Sequence, residues 1–414
     1  MDVGHLGSSV VSQPGESPAR TASQAASAAV VDRTSAGDCP SPAPPDPSRR
    51  ASGRLVGLDA VRGGMLLVSV GVDSWVNVPA WFDHAGWIGI HPMDWIFPVF
   101  VTLSGCGLAF ANARRVRVKP AIRRIVILCV VGLVYNYIIS SGAPFRFSTL
   151  RYPGVLQLYA GVVTGIVLLH MVLKGWKSWA WATAVMACSY TLLLAAWSAH
   201  CGGRLTTSCN PSHVIDYAVF GPGHLYVAGT LGYDPEGVPS ILGALVVASM
   251  GATIGHLILE YRRRGPVEVA LAGGAVLIAA LGFAQALDLI VPAFKKQWTP
   301  PFDLLLATAA GVLLLAGHLV FDRRRASGTT APDARFPVWV LVALGRNSLF
   351  VYFGSHALTA WLGAHTSGGR PLLVHLEQAI AVGGHPQATL TVALEALWIG
   401  LAAVLHWRKI YLRP

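Results

Sequence analysis

Charge is scarce in this chain. Of its 414 residues only 12% are Asp, Glu, Lys or Arg, whereas 53% are hydrophobic, and the mean hydropathy is +0.54. A soluble protein typically needs about 25% charged residues to cover its surface, so the shortfall excludes a set of water-facing domains and makes lipid the expected solvent. Acids are scarcer than bases, 20 against 31, which leaves a formal charge of +11. An excess of that sign can serve nucleic acid, but here Lys and Arg occur in short clusters between apolar runs, the pattern that orients a membrane protein; no nucleic-acid partner is expected. Cysteine is also rare, with 6 in all and no Cys-x-x-Cys or His-x-x-His spacing, so a metal site has no support. Cys106, Cys129 and Cys188 fall inside apolar runs and read as small packing residues. Cys201 and Cys209 share a long loop expected on the oxidising face, where they could be bonded or free, and Cys39 lies near the N-terminus.

What is present is a series of long apolar windows. Ten reach the roughly 20 residues that a spanning helix needs: 62–80, 92–112, 121–140, 153–173, 178–199, 238–260, 267–290, 301–321, 337–363 and 389–407. A further re-entrant or interfacial segment could lie between Gly363 and Pro386. On a ten-span arrangement with the N-terminus inside, the cytoplasmic connections hold eighteen Lys and Arg, including Arg114 to Arg124, Arg262 to Arg264 and Arg323 to Arg325. The outer connections hold six, namely Arg146, Arg151, Arg204, Lys295, Lys296 and Arg370. The expected fold is therefore an all-α polytopic membrane helix bundle of about ten transmembrane helices over 54–414. Residues 1–53, rich in Ser, Ala and Pro, cannot bury enough apolar surface to offset ordering and read as a disordered cytoplasmic tail, without the apolar core of a signal peptide. The expected setting is a bacterial-type plasma membrane, and homo-oligomerisation stays open.

Polar chemistry beside apolar spans is costly and marks candidate function. Asp59 and Arg62, three apart, share a helical face and either pin the helix end or line an entrance. Asp73, the pair Asp83 and His84, and then His91 and Asp94, lie within some twenty residues of one another at the outer face among Trp residues. A half-buried His there could move protons, with Asp94 orienting its ring. Asn136 and Gln157 sit inside spans, where interhelical hydrogen bonding is the commoner use.

Several of these residues sit in recurring motifs. Leu58-Asp59-Ala60-Val61-Arg62-Gly63, His84-Ala85-Gly86-Trp87 and Asp94-Trp95-Ile96-Phe97-Pro98 resemble the opening of the heparan-alpha-glucosaminide N-acetyltransferase catalytic family, multi-span membrane acyltransferases. The likeness continues at Pro153-Gly154-Val155-Leu156-Gln157, Tyr233-Asp234-Pro235-Glu236-Gly237, Lys295-Lys296-Gln297-Trp298-Thr299 and Leu344-Gly345-Arg346-Asn347-Ser348. The resemblance implies transfer of an acetyl group from cytosolic acetyl-CoA, a donor substrate needing no metal, to an extracytoplasmic amino-sugar or glycan acceptor. It implies His84 as the active-site histidine, with Asp94 orienting it. Where the family often has Asn, eleven residues before that histidine, this chain has Asp73, which when ionised can accept hydrogen bonds but not donate them. Asp59, Arg62, Asn136 and Gln157 are then the expected contacts of the donor. Lys295, Trp298 and Asn347 are those expected near the acceptor, with Asn347 steadying an oxyanion and Trp298 either stacking on a sugar or anchoring the interface. Rival readings are a secondary transporter, against which stands the absence of visible similarity between 54–240 and 241–414, and an O-acyltransferase of an envelope polymer.

Overall fold

A computed structural model describes residues 55–139, 146–322 and 335–412. The tail expected over 1–53, with Cys39, and the cluster Arg323 to Arg325 lie outside the described residues. Among the described residues the regular elements are helices apart from two two-residue strands, β1 (Thr366–Ser367) and β2 (Arg370–Pro371), which pair antiparallel.

The helices that carry the site are α1 (Val56–Asp73), α2 (Ile96–Asn112), α3 (Val118–Ile139), α4 (Val155–Val172) and α5 (Gly175–His200). They are followed by a short outer helix α6 (Pro211–Phe220), then α7 (Val238–Tyr261), α8 (Pro266–Asp288), α9 (Pro300–Gly317), α10 (Phe336–Arg346), α11 (Ser348–Ala364), α12 (Leu372–Ala379) and α13 (Pro386–Trp407). Proline opens α6, α8, α9 and α13, where its missing N–H costs nothing. Among the described residues eight helices are long and apolar enough to cross a membrane, and α10 with α11, bent by 77° at their junction, make a ninth. The protein is an integral membrane helix bundle.

One expectation needs correction. The window 62–80 is instead α1, which starts at Val56 because Asp322, at the far end of the α9 segment, accepts the N–H groups of Val56 (2.6 Å) and Gly57 (3.3 Å). Such a cap from a distant part of the chain satisfies the orphan donors of the first turn and leaves no local signal. Asp59, Arg62 and Asp73 thus lie within α1, and their charge keeps it out of the apolar set. The stretch between Gly363 and Pro386 forms the β-hairpin and the eight-residue α12, too short to span.

The core is centred on α7, which packs against α2, α5, α9 and α4. Van der Waals packing drives helix association in lipid, so close approach matters. A Cβ on Gly105 of α2 would lie 1.9 Å from the Ala248 carbonyl oxygen, and one on Gly251 of α7 2.0 Å from that of Thr102. The backbones touch there, and this fixes the height of α2 and of the loop that precedes it.

Alternating helices carry Arg114, Arg115, Arg117, Lys174 and Arg262 to one end of the bundle, and Arg151, Arg204, Lys295 and Arg370 to the other. Single cysteines replacing exposed Ala113 and exposed Ser367, in a background lacking the free cysteines, should react with an impermeant maleimide from opposite faces of the membrane. Reaction from the same face would overturn this topology.

Candidate active site

At the outer end, the loop between α1 and α2 presents His84. Its Nδ1–H donates to Asp94 Oδ1 at 2.7 Å. The Lys295 ammonium, from the turn before α9, lies 3.3 Å from the same oxygen and 3.1 Å from the ring nitrogen. Asp94 Oδ2 accepts the backbone N–H groups of His91 (2.9 Å) and Ala85 (3.2 Å). Four donors around one carboxylate account for a charged group that is only 1% exposed. Because Nδ1–H is committed to Asp94, the tautomer leaves Nε2 as a lone-pair acceptor, and the His84 side chain is 41% exposed. His91 is occupied otherwise, its Nδ1 donating to the Asp83 carbonyl at 2.8 Å.

The loop is held from several sides. Trp87 Nε1–H donates to Leu205 O at 2.9 Å, and its ring packs on Tyr233 and Phe294. Leu205 belongs to the short loop closed by a Cys201–Cys209 disulfide, so the bonded alternative is the one the structure contains. Beside it, Arg151 bridges Asp234 (2.6 Å) and Glu236 (2.5 Å). Burial opposes its charge, but Glu236 and Asp234 outweigh that and hold it charged above the usual arginine value. Burial pulls Lys295 below the ordinary lysine value, while Asp94 and Glu236 pull the other way.

A cavity of about 480 Å³ lies beneath this site, between α1, α2, α3, α4 and the α10–α11 bend. From α2 its lining runs from Phe97 to Ala111, about 21 Å along the helix. Its inner part carries Arg62, Arg124 and Arg346; its outer part is walled by Phe97, Phe100 and Tyr352. Arg62 and Arg124 are loosely engaged. Arg62 is 3.9 Å from Asp59 and 3.5 Å from Leu103 O. Arg124 reaches Ser104 and Tyr159 only at 3.4 Å, and its buried Nε has no hydrogen-bond partner among the described residues. Arg346 stacks over the Tyr411 ring at 3.5 Å.

The expected residues divide between these two places. His84, Asp94 and Lys295 come together at the outer site, and Asp59 and Arg62 line the cavity. Trp298 is not available to a sugar: it is 1% exposed, its ring packs edge-on against Phe97 and Phe302, and its N–H donates to Pro235 O at 3.1 Å. Asn347 is buried at the α10–α11 bend, donating to Ala343 O at 3.3 Å and accepting from Leu412 N at 3.3 Å, so it is not brought to His84. Asp73 accepts from Thr359 Oγ1–H at 2.5 Å and sits 3.8 Å from His356 Nε2, not beside His84. Asn136 ties down the loop before α4 by donating to Arg151 O (3.0 Å) and Pro153 O (2.8 Å). Gln157 is half-buried, its buried amide atoms have no hydrogen-bond partner among the described residues and it lies close to Gly132 and Gly154, but neither Asn136 nor Gln157 lines the cavity. Sequence reasoning missed Arg346, Tyr159 and Tyr352 as cavity walls and His356 as the partner of Asp73. The phase of α11 held a signal: Leu349, Tyr352, His356 and Thr359 fall on one helical face.

No protein-family model matches the chain. It is 23% identical to heparan-alpha-glucosaminide N-acetyltransferase of Homo sapiens, over 86% of this chain and 59% of that protein. With the protein of the same name from Mus musculus it shares 22% identity over 89% of this chain and 61% of the relative. The chain spans about three fifths of the length of these curated relatives. Both alignments run across nearly the whole helix bundle that frames His84 and the cavity, so the likeness of this chain to heparan-alpha-glucosaminide N-acetyltransferases is distant but extends over the site.

Proposed function

We propose that the protein is a membrane acetyltransferase that takes an acetyl group from acetyl-CoA at its cytoplasmic end and passes it to an amino-sugar or envelope-glycan acceptor at the outer end. One observation carries this reading: a single cavity with arginines at one end has an aromatic collar at the other, and Asp94, which holds His84, lies one turn before Phe97 of that collar.

The residues suit such a donor. A nucleotide bearing phosphates needs loosely committed cations, and Arg62 and the unpartnered Nε of Arg124 offer them. A thin pantetheine arm needs a mostly apolar passage a few ångströms wide, which Leu58, Leu108, Leu128, Leu156 and Leu349 provide. At the collar the thioester carbonyl meets the acceptor. His84 Nε2 takes the proton of the attacking group as the C–N or C–O bond forms, and the Lys295 ammonium offsets the developing oxyanion. Collapse then breaks the C–S bond, and the departing thiolate takes the proton from His84. Asp94 keeps the ring in one tautomer throughout. The excess of Lys and Arg at the inner end supports placing the N-terminus and the donor on the cytoplasmic side and the acceptor outside.

The test is acceptor-dependent release of CoA from labelled acetyl-CoA by the purified protein in lipid nanodiscs. Arg62→Ala should weaken acetyl-CoA binding by about tenfold, the scale of one charge-assisted contact, with Tm little changed. A fall in Tm with donor affinity intact would reduce Arg62 to an anchor of α1 and leave the cavity without a donor role.

A further inference from the structure

Beyond the His84 pair, a second acid–histidine pair stands at the same mouth. Tyr352 walls the outer part of the cavity, and its ring lies 4.2 Å from that of His356, one turn further out on α11. Opposite is Asp73, at the end of α1. It is eleven residues beyond Arg62, or three helical turns, so the α1 face that lines the cavity at Arg62 leads about 16 Å outward to Asp73. The two pairs thus flank the collar: Asp94 sits one turn before Phe97 of α2, and His356 one turn beyond Tyr352 of α11.

The hydrogen bonds of this second pair leave a gap. His356 Nδ1–H donates to Tyr352 O at 3.0 Å, so Nε2 bears the lone pair. That lone pair is 3.8 Å from Asp73 Oδ1, too far for a hydrogen bond. The other carboxylate oxygen is fixed by Thr359 Oγ1–H. Among the described residues two acceptors therefore converge with no hydrogen-bond donor between them, and both side chains are 21% exposed. What complements such a pair is an N–H donor, best a charged one.

We infer that His356, positioned with Asp73, is a second proton acceptor that converts the acceptor's ammonium into the free amine before transfer. The inference rests on the acetyl-transfer reading above and extends it to a specific need of amine acceptors. An ammonium has no lone pair, so one proton must leave before attack and a second during it. His356 Nε2 takes the first, and Asp73 balances the charge. The freed amine forms the C–N bond, His84 Nε2 takes the second proton, and the C–S bond breaks as the thiolate receives that proton from His84. His356 then returns its proton to water. The balance is R–NH3+ plus acetyl-CoA giving R–NH–acetyl, CoA–SH and one proton.

The experiment compares two probes at one neutral pH in nanodiscs: glucosamine, whose amine is largely protonated, and an O-alkylhydroxylamine, whose amine is already neutral. His356→Gln should lower kcat/KM for glucosamine by at least about tenfold, toward the lower end of general-base losses, and that for the hydroxylamine by less than about threefold, with the acetyl-CoA KM unchanged. Asp73→Asn, nearly isosteric, should show the same selective loss in milder form and serves if the first variant fails to fold. Parallel loss with both probes, or no loss with either, overturns the inference and leaves a simple link between α1 and α11. If the unaltered protein acetylates neither probe, both this inference and the acetyl-transfer reading fall; if it acetylates both and only the variants disagree, this inference alone falls.

Discussion

His84→Ala should lower kcat for acetyl transfer by on the order of a hundredfold or more while acetyl-CoA binding stays near its original strength. The split follows from geometry. The ring stands at the outer site, its Nδ1–H spent on Asp94 at 2.7 Å and its Nε2 left as the acceptor, whereas the cavity's arginines lie along α1, α3 and α10, well inward of it. Removing the imidazole takes away the group that accepts the proton and leaves the donor's contacts in place. His91→Ala is the internal control: this side chain belongs to the same loop, but its Nδ1 bonds to Asp83 O, and the loop retains the Asp94 bonds to Ala85 and to the His91 backbone. That variant should keep most of its activity. Equal losses in both would mean that the loop matters only as a scaffold, and normal turnover by His84→Ala at neutral pH would remove the loop from the chemistry.

How much of this could be read from sequence depended on how far apart the partners lie. His84 and Asp94 are ten residues apart in one loop that opens an apolar helix, so their pairing was legible. Lys295 was legible as an outer residue but not as a third member of that pair, because a fold more than two hundred residues long brings it there. Trp298 showed the limit of residue type as a guide: a Trp near a membrane face suggests stacking or anchoring, yet the turn through Lys295 to Gln297 drives it inward onto Phe97 and Phe302. Asn347 misled for a topological reason. The window 337–363 reads as one apolar span, but the 77° bend at Asn347 leaves that residue buried at the bend, bonded to Ala343 O and Leu412 N. Asp73 was visible as a departure from the family's pattern, and its helical phase with Arg62 was countable, but the histidine it faces comes from α11.

Arg151→Ala should cost about 3–5 kcal/mol of stability, the scale for removing one partner of a buried ion pair, and should be the most destabilising single change in the outer loops. Asp234 is fully buried, and Arg151 meets it with two nitrogens, Nη2 at 2.6 Å and Nε at 3.2 Å, while Nη2 also reaches Glu236. Without the guanidinium, Asp234 would keep only the N–H groups of Tyr226 (2.7 Å) and Glu236 (3.0 Å), and a buried charge would lose its counter-ion. Arg151→Lys keeps the charge but not the fork, so it should fall between the two. Thermal unfolding in nanodiscs, followed by near-ultraviolet circular dichroism, gives the order: unaltered protein highest, then Lys, then Ala. Glu236 also gives this ion pair a link to catalysis, because it pulls the Lys295 value upward beside Asp94. A freed Glu236 should draw Lys295 away from His84, so Arg151→Lys, if it stays folded at assay temperature, should lose turnover before it loses acetyl-CoA affinity. If Arg151→Ala unfolds no earlier than the unaltered protein, the ion pair does not hold the outer loops, and the disulfide-closed loop with its Trp87 contact must position His84 alone.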